Sequence, residues 1–250
     1  MKLGKAIELR PTHFDRSRNR VYLVGVELEG GWEKMLKGCE IHRDTSVRFS
    51  PTPNLNYVGE IESKPLELSE MPKWVKQYYP HHINDSCGMH IHLSFRTALT
   101  YSRLMAPSYP ATIVKYMHEW AKREGLPPSH SLWSRLRGES EYCQHTYWAE
   151  DQVFQAGKEY DRKRKGHRYT VINYCFTRHS TLECRLLPMM ANAEQAIRAL
   201  QEVIRITNAY LVATAKRDTK STGTAELDTS ETREVHQVEI PTRVERRVYS

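Results

Sequence analysis

Pairs of ionisable residues, spaced two positions apart, recur in four segments of this sequence. The pairs are Glu27 and Glu29, Glu60 and Glu62, His90 and His92, and Glu183 and Arg185. Side chains two apart on a β-strand point to the same face. The intervening positions are apolar: Val26, Leu28, Ile61, Met89, Ile91, Leu93, Leu182, Cys184 and Leu186. The spacing therefore predicts a sheet with one apolar face and one face that gathers five glutamates, two histidines and an arginine.

A face of this composition predicts a divalent cation. Carboxylates on adjacent strands repel each other and destabilise strand pairing unless a cation neutralises them. The alternative is a solvated face, which more typically mixes Thr, Lys, Ser and Arg. Zinc sites use fewer acidic ligands, whereas Mg²⁺ is held by a few carboxylates together with substrate phosphates. The excess of glutamate therefore favours Mg²⁺, or Mn²⁺, over zinc.

Magnesium beside an arginine and a basic loop indicates phosphoryl transfer, in which neutralisation and positioning provide most of the catalysis. The loop is 158–168, and its basic residues are Lys158, Arg162, Lys163, Arg164, Lys165 and Arg168. It could reach nucleotide phosphates or an acidic substrate, or it could be a solvated loop. The sequence contains neither G-x-x-x-x-G-K-[ST] nor G-x-G-x-x-G, which excludes P-loop and Rossmann nucleotide sites.

The elements that must position these residues follow from hydrophobic periodicity. Strands are predicted at 21–30, 57–66 and 86–95, with a hairpin formed by 169–176 and 181–189 around a turn at 177–180. An extended piece is expected at 41–49, and shorter strands at 5–10 and 235–240. Helices are predicted at 69–79 and 192–215, and the region 97–157 reads as helical.

Local signals mark the ends of two of these helices. Ser69 is predicted to cap the first helix, and Pro72 lies in its first turn. The sequence Gly125-Leu-Pro-Pro is predicted to end a helix. Because helices are inserted between strands without strict βαβ alternation, the order predicts an α+β fold with an antiparallel sheet.

Composition limits the compartment and the classes of partner that are expected for the protein, but it does not identify a partner. The chain has 250 residues, 27% of them charged, and a net charge of +7, which suits anionic partners or ordinary solubility. Five widely spaced cysteines without a C-x-x-C pair argue against structural zinc and a disulfide framework. No signal-peptide core and no run of about 20 apolar residues is present, so we expect a cytoplasmic protein without a membrane span. Few aromatics interleave with the basic loop, which disfavours nucleic acid.

The motifs, taken in order, resemble the amidoligase family of the glutamine-synthetase-like carboxylate–amine ligases. They are GVELEG, HRDTS followed by GEIESKPL, CGMHIHLSF, and RYTVINYCF with STLECRLLPMMAN. The stretch SCGMHIHLS is also similar to the histidine segment of glutamine synthetase. The resemblance covers residues 21–215, which would form the catalytic domain. Residues 1–20 are then an N-terminal extension and 216–250 a polar C-terminal tail.

The resemblance implies a curved antiparallel sheet with helices on one face and an active-site cleft on the other, where ATP and Mg²⁺ bind. Residue roles are carried over by position. Glu29 with Glu60 or Glu62 would hold one metal ion, and Glu27, His90 and Glu183 the other. His92 would face the nucleotide or acyl phosphate, Arg185 would neutralise the γ-phosphate, and Asn173 would orient substrate. Lys165 and Arg168 of the basic loop are candidate nucleotide contacts.

The activity that the resemblance implies is ATP-dependent amide formation through an acyl phosphate. Asp44 and Ser46 match a further D-x-S feature, and 137–143 could line the substrate end, with roles left open. The substrates would be a carboxylate and an amine, either small molecules or peptides, and a homo-oligomer would be in keeping with the superfamily. The alternatives are a guanidine kinase or glutamate–cysteine-ligase-like enzyme, a metal-dependent hydrolase, or a non-catalytic binding protein on the same fold.

Overall fold

A computed structural model of the chain describes residues 20–49, 57–96, 98–140, 142–145, 169–175 and 180–221. The strands predicted at 5–10 and 235–240, the basic loop 158–168 and most of the turn at 177–180 lie outside these residues. Lys165 and Arg168 therefore stay predictions.

Five strands form one antiparallel sheet. They are β1 (Val21–Trp32), β2 (Tyr57–Glu62), β3 (Gly88–Phe95), β4 (Ile172–Cys175) and β5 (Thr181–Pro188). Their order across the sheet is β2-β1-β3-β5-β4, and each neighbouring pair is antiparallel. The predicted hairpin is present as β4 and β5, and it joins the sheet through β5. The prediction of an α+β fold with an antiparallel sheet is confirmed.

Five helices accompany the sheet within the described residues. They are α1 (Met71–Tyr78), α2 (Ala98–Leu104), α3 (Ser108–Arg123), α4 (Leu132–Arg137) and α5 (Ala193–Ser221). Asn192 begins α5, because its side-chain oxygen accepts a hydrogen bond from the backbone N–H of Gln195. The helix continues past residue 215, so its last turns enter the stretch predicted as a tail. Gly125, with a φ of 64°, follows the end of α3 as predicted.

The apolar face of the sheet packs into a single core with the helices. Val24, Leu28, Ile91 and Leu182 are fully buried there, together with the apolar stripe of α5 that includes Leu200. Burying this stripe and this face together is what makes both elements stable. The opposite face of the sheet is consequently left to the polar pairs.

Three predictions about the elements are wrong in detail. The second strand ends at Glu62 rather than residue 66, because Ser63 bonds back to Val26 and Pro65 has no N–H to extend a ladder. Ser69 does not cap α1, whose N-cap is Glu70 without a side-chain cap bond. The helical prediction for 97–157 is confirmed for α2, α3 and α4, but the described part after Arg137 forms short bridges instead.

The segment 41–49, here named the strap, forms one isolated bridge to β2 instead of a regular strand. His42 exchanges two backbone hydrogen bonds of 2.8 Å with Glu60 of β2. At the other end of the strap, the N–H of Arg48 bonds Ser86 and its carbonyl accepts from Asn84, just before β3. The strap therefore connects β2 with the segment that precedes β3.

Among the described helices, none combines the length and the apolar character that crossing a lipid bilayer requires.

Candidate metal centre

Strand pairing brings the predicted polar residues onto one face of the sheet. The facing pairs are Glu27 with Glu62 and with His90, Glu29 with Glu60, and Glu183 with His92 and with Asn173. Facing residues in antiparallel strands lie within side-chain contact. Every one of the eight residues in the four predicted pairs thus belongs to the central three strands or to β2 beside them.

A β-bulge in β5 adjusts the position of Arg185. Met89 faces Leu187 and Ile91 faces Cys184, so β5 has one more residue than β3 between these pairs. Two residues of β5, Arg185 and Leu186, consequently lie opposite His90. Bulges of this kind re-aim side chains next to functional sites, and here the Arg185 guanidinium turns back to bond the carboxylate of Glu183.

Four of these eight ionisable groups are buried. The exposed fraction is 2% for Glu183, 4% for His90, 5% for Glu29 and 6% for Arg185, whereas Glu62 at the open side of β2 is exposed. Charged residues are almost never buried this deeply unless they are paired or bind a metal. A solvated sheet face is therefore excluded for the centre of this cluster.

The first candidate metal group consists of Glu27, His92 and Glu183, here named group A. One ligand atom from each residue lies within 4.8 Å of the others. Nε2 of His92 is 2.7 Å from Oε1 of Glu27. A neutral imidazole and two carboxylates are ligands that Mg²⁺, Mn²⁺ and zinc all accept, so the three residues fit a divalent cation.

Neighbouring groups keep the acidic members of group A ionised. Burial raises the pKa of Glu27, but hydrogen bonds and charges of His90 and His92 outweigh it and hold that pKa well below its ordinary value. Burial likewise raises the pKa of Glu183, and the Arg185 charge brings it below the ordinary value. Burial lowers the pKa of His92, yet its bond to Glu27 and the nearby carboxylates raise it overall. Group A therefore offers carboxylates that need no deprotonation to bind a cation.

Glu183 is held by three further contacts. Arg185 bonds one of its oxygens, and Nδ2 of Asn173 donates to the other at 2.7 Å. Sγ of Cys175 lies 3.6 Å from the same oxygen as Asn173, and burial raises the pKa of this thiol well above its ordinary value. Asn173 thus orients a carboxylate, and Cys175 is a neutral neighbour rather than a nucleophile.

The second candidate metal group consists of Glu29, Asp44 and Glu60, here named group B. Glu29 accepts a hydrogen bond from the backbone N–H of Gly88. Asp44 arrives from the strap, where its Oδ1 accepts from the N–H of Ser46 at 2.7 Å. Three carboxylates form an all-oxygen ligand set, which is the set that Mg²⁺ and Mn²⁺ prefer.

Group B carries uncompensated negative charge. Burial, followed by the charges of Glu27, Asp44, Glu29 and Glu62, raises the pKa of Glu60 to about 7. A carboxyl group keeps its proton to higher pH in this way when other negative charges lie close to it. A divalent cation would relieve the repulsion that the proton relieves now.

His90 lies between the two groups. Its Nδ1 is 2.9 Å from Glu27 and 3.4 Å from Glu183, and its Nε2 is 3.8 Å from Glu29. Gly88 leaves room for this ring, because a Cβ at that position would lie 2.9 Å from Nε2 of His90. His90 is thus placed to contact a ligand of either group, although neither three-residue group contains it.

The charge balance of the whole cluster favours cations. Six carboxylates (Glu27, Glu29, Asp44, Glu60, Glu62 and Glu183) are gathered around one guanidinium, Arg185, and two imidazoles. Among the described residues of this cluster, the carboxylates outnumber these three cationic groups by three even with both imidazoles protonated. Burying unpaired charge is costly, so the residues present fit one or two divalent cations.

Arg185 offers the complementary chemistry. Burial lowers its pKa, but the charges of Glu183, Glu27 and Glu29 raise it further, so the side chain is permanently cationic. Its Nε is buried and has no hydrogen-bond partner among the described residues. A divalent cation held by the carboxylates could also bind an anionic ligand such as a phosphate. An arginine with a free N–H donor beside the cluster is suited to bind that same anion.

The residues that the pairs alone did not identify are Asp44 as a possible ligand, Thr181 and Cys175. Thr181 and Cys175 follow the same spacing rule as the pairs, because they lie two positions from Glu183 and Asn173 respectively. Oγ1 of Thr181 is 3.0 Å from Nδ1 of His92. The spacing rule could have found both, whereas Asp44 depends on the path of the strap.

No protein-family model, no curated protein and no solved structure matches this chain.

Proposed function

We propose that this chain is an ATP- and Mg²⁺-dependent amidoligase that joins a carboxylate to an amine. The observation that supports the proposal is the convergence of groups A and B and Arg185 on one sheet face. That arrangement combines a ligand set for hard divalent cations with a buried cation suited to phosphate. It agrees with the order of motifs that resembles the amidoligase family.

Under this proposal, ATP would transfer its γ-phosphoryl group to the substrate carboxylate, releasing ADP. The amine nitrogen would then attack the acyl carbon and expel inorganic phosphate, leaving an amide. Bound Mg²⁺ would neutralise phosphate charge during these steps. Mn²⁺ could take its place.

The protein residues divide the remaining work. Arg185 would donate hydrogen bonds to the transferred phosphoryl oxygens, where negative charge shifts during transfer. Asn173 would hold Glu183 in place through the bond described above. His92 would bind the cation of group A through Nε2, the nitrogen that faces Glu27. Glu62, which is exposed on β2, stays a candidate ligand.

The test is ATP turnover by the purified protein with Mg²⁺ and a pooled panel of amino acids, peptides and amines, followed by mass spectrometry. The proposal expects ADP together with a condensation product whose mass is the sum of two panel members minus one water. Glu183→Gln and His92→Gln should each lower turnover at least about 100-fold, because they alter a group that binds the cation.

Glu33→Gln is the matched control, because Glu33 is an exposed glutamate whose carboxylate pairs with the half-buried His82, outside groups A and B. This variant should turn over ATP like the unmodified chain. Condensation at the same rate in Glu183→Gln would contradict the assigned site. Hydrolysis of a panel member without ATP would instead support a metal-dependent hydrolase, and failure of ATP to bind with either cation would remove the ligase.

A further inference from the structure

Both ring nitrogens of His92 are engaged, and one of them contacts a residue outside groups A and B. Nε2 is 2.7 Å from Glu27, and Nδ1 is 3.0 Å from Oγ1 of Thr181. Nε2 is therefore the nitrogen that contacts group A, and Nδ1 faces Thr181, which belongs to neither group.

The chemistry of imidazole means that cation binding at Nε2 requires a hydrogen-bond acceptor at Nδ1. A neutral imidazole carries one N–H, and only the other nitrogen has a lone pair for a cation. If Nε2 is to bind a cation, the proton of the neutral ring must be on Nδ1, and this N–H needs a hydrogen-bond acceptor. In metal sites such an acceptor fixes both the tautomer and the orientation of the ring. The hydroxyl of Thr181 is an acceptor at the required position.

Thr181 is itself held in place. It is the first residue of β5 and is buried, with 7% of its surface exposed. Its backbone pairs with Cys175 of β4. The preceding residue, Ser180, has a φ of 52°, and its carbonyl accepts a hydrogen bond from the hydroxyl of Tyr101. The turn, the strand pairing and α2 together fix the point from which the Thr181 hydroxyl reaches His92.

We propose that Thr181 is a positioning residue that accepts the Nδ1–H bond of His92 and holds the imidazole in the tautomer whose Nε2 lone pair faces group A. The inference rests on the cation site of the proposed function. It adds a residue to which neither the charged pairs nor the family resemblance gives a role.

The test measures Mn²⁺ affinity by electron paramagnetic resonance, with every variant made in an Asp44→Asn background. That background weakens group B, so that the signal reports group A. Thr181→Val keeps the shape of the side chain and removes the acceptor, and Thr181→Ser restores a hydroxyl. We expect Thr181→Val to weaken Mn²⁺ binding about 10- to 100-fold, the range for loss of such a partner. Thr181→Ser should stay within about threefold of the background chain because its hydroxyl can make the same bond.

Thr112→Val provides the matched control for loss of a buried hydroxyl. Thr112 is equally buried, but its hydroxyl bonds the carbonyl of Ser108 within α3. This variant should leave Mn²⁺ affinity unchanged. A second readout is the ¹⁵N spectrum of the imidazoles with saturating Mg²⁺, where the His92 Nδ1–H signal should be lost or shifted in Thr181→Val and kept in Thr181→Ser.

The outcomes separate this inference from the proposed function. If His92→Gln weakens Mn²⁺ binding but Thr181→Val does not, the proposed role of Thr181 is overturned and the cation site is retained. Absence of any Mn²⁺ binding with Asp44 intact would overturn both. A fall in Thr112→Val as large as that in Thr181→Val would show a general packing effect and would also overturn the inference.

Discussion

Glu60 carries the proton that a cation in group B has to displace. Its pKa of about 7 means that the side chain is largely protonated at pH 6 and ionised at pH 8. Because the cation binds the carboxylate, its affinity should rise as pH increases from about 6 to 8 and level off above that range. Below the pKa, binding should release a proton to the buffer.

Titration calorimetry with Mn²⁺ in two buffers of different ionisation enthalpy measures this release directly. In Glu60→Gln, the proton release at group B should disappear and the affinity of that group should fall. Thr181→Ser, which leaves group B intact, should retain the release. A cation affinity that stays flat between pH 6 and 8 would contradict the role of Glu60.

At the scale of single residues, spacing identifies the members of the cluster but not their division into groups. Glu27 and Glu183 belong to group A together with His92, whereas their predicted partner as a ligand was His90. The sequence contains both histidines at equivalent spacing. Both imidazoles contact Glu27, and Nδ1 of His90 is also 3.4 Å from Glu183. Which ring completes a three-residue group with the two carboxylates depends on strand register and on the bulge in β5, and neither can be read from residue types.

At the scale of elements, the strands were predictable because apolar and polar positions alternate over each of them. The position of the strap was not predictable, because 41–49 has extended character but makes only one isolated bridge, to β2. Its position depends on one close approach to β2 rather than on periodicity. Asp44 reaches group B through that approach, which explains why the sequence left its role open.

Gly59 permits this close approach. A Cβ on Gly59 would lie 1.9 Å from the carbonyl oxygen of His42, so any side chain must push the strap away from β2. Gly59→Ala should lower the free energy of unfolding by about 2 kcal/mol or more, because it breaks two backbone hydrogen bonds and leaves their groups partly buried. It should also weaken cation binding at group B by moving Asp44.

Gly125→Ala is the comparison for Gly59→Ala. A Cβ at Gly125 meets nothing within 4 Å, although its φ of 64° is left-handed. This variant should cost only about 1 kcal/mol and leave Mn²⁺ affinity unchanged. Denaturant unfolding and cation titration of both variants measure the two effects. Equal cation affinity in Gly59→Ala and the unmodified chain would show that the strap does not place Asp44.

At the scale of the whole molecule, Arg135 connects the helical layer to the sheet. It belongs to α4, is buried, and its Nη1 donates to the carbonyls of Arg185 at 3.1 Å and Leu187 at 2.9 Å. These carbonyls lie where β5 bulges and continues beyond the end of β4. Among the described residues, Arg135 thus supplies the donors that a neighbouring strand would supply at that edge.

Arg135→Met should lower the free energy of unfolding by about 2 kcal/mol. Two buried carbonyls would lose their donor, at about 1–3 kcal/mol each, and relief from burying a charge would offset part of that. Arg137→Gln, on the same helix but exposed, should leave the unfolding midpoint unchanged. Denaturant unfolding distinguishes the two, and equal midpoints for both variants would contradict the connecting role of Arg135.

The fold class could be predicted from the order of elements, but the order of strands in the sheet could not. Nothing in the spacing of the pairs indicates that β5 inserts between β3 and β4. That placement brings Glu183 opposite His92. The candidate site was thus predictable as a set of residues and not as a geometry.

The central place of β5 has a consequence for the chain during its synthesis. When residues 20–96 have left the ribosome, β2, β1 and β3 can pair, but β3 then presents an open edge until β5 follows, about 90 residues later. Open edges invite pairing with other chains. Throughout that interval the two histidines of β3 have no Glu183 to contact, so a nascent chain has no complete group A, and a cation added early would find only group B.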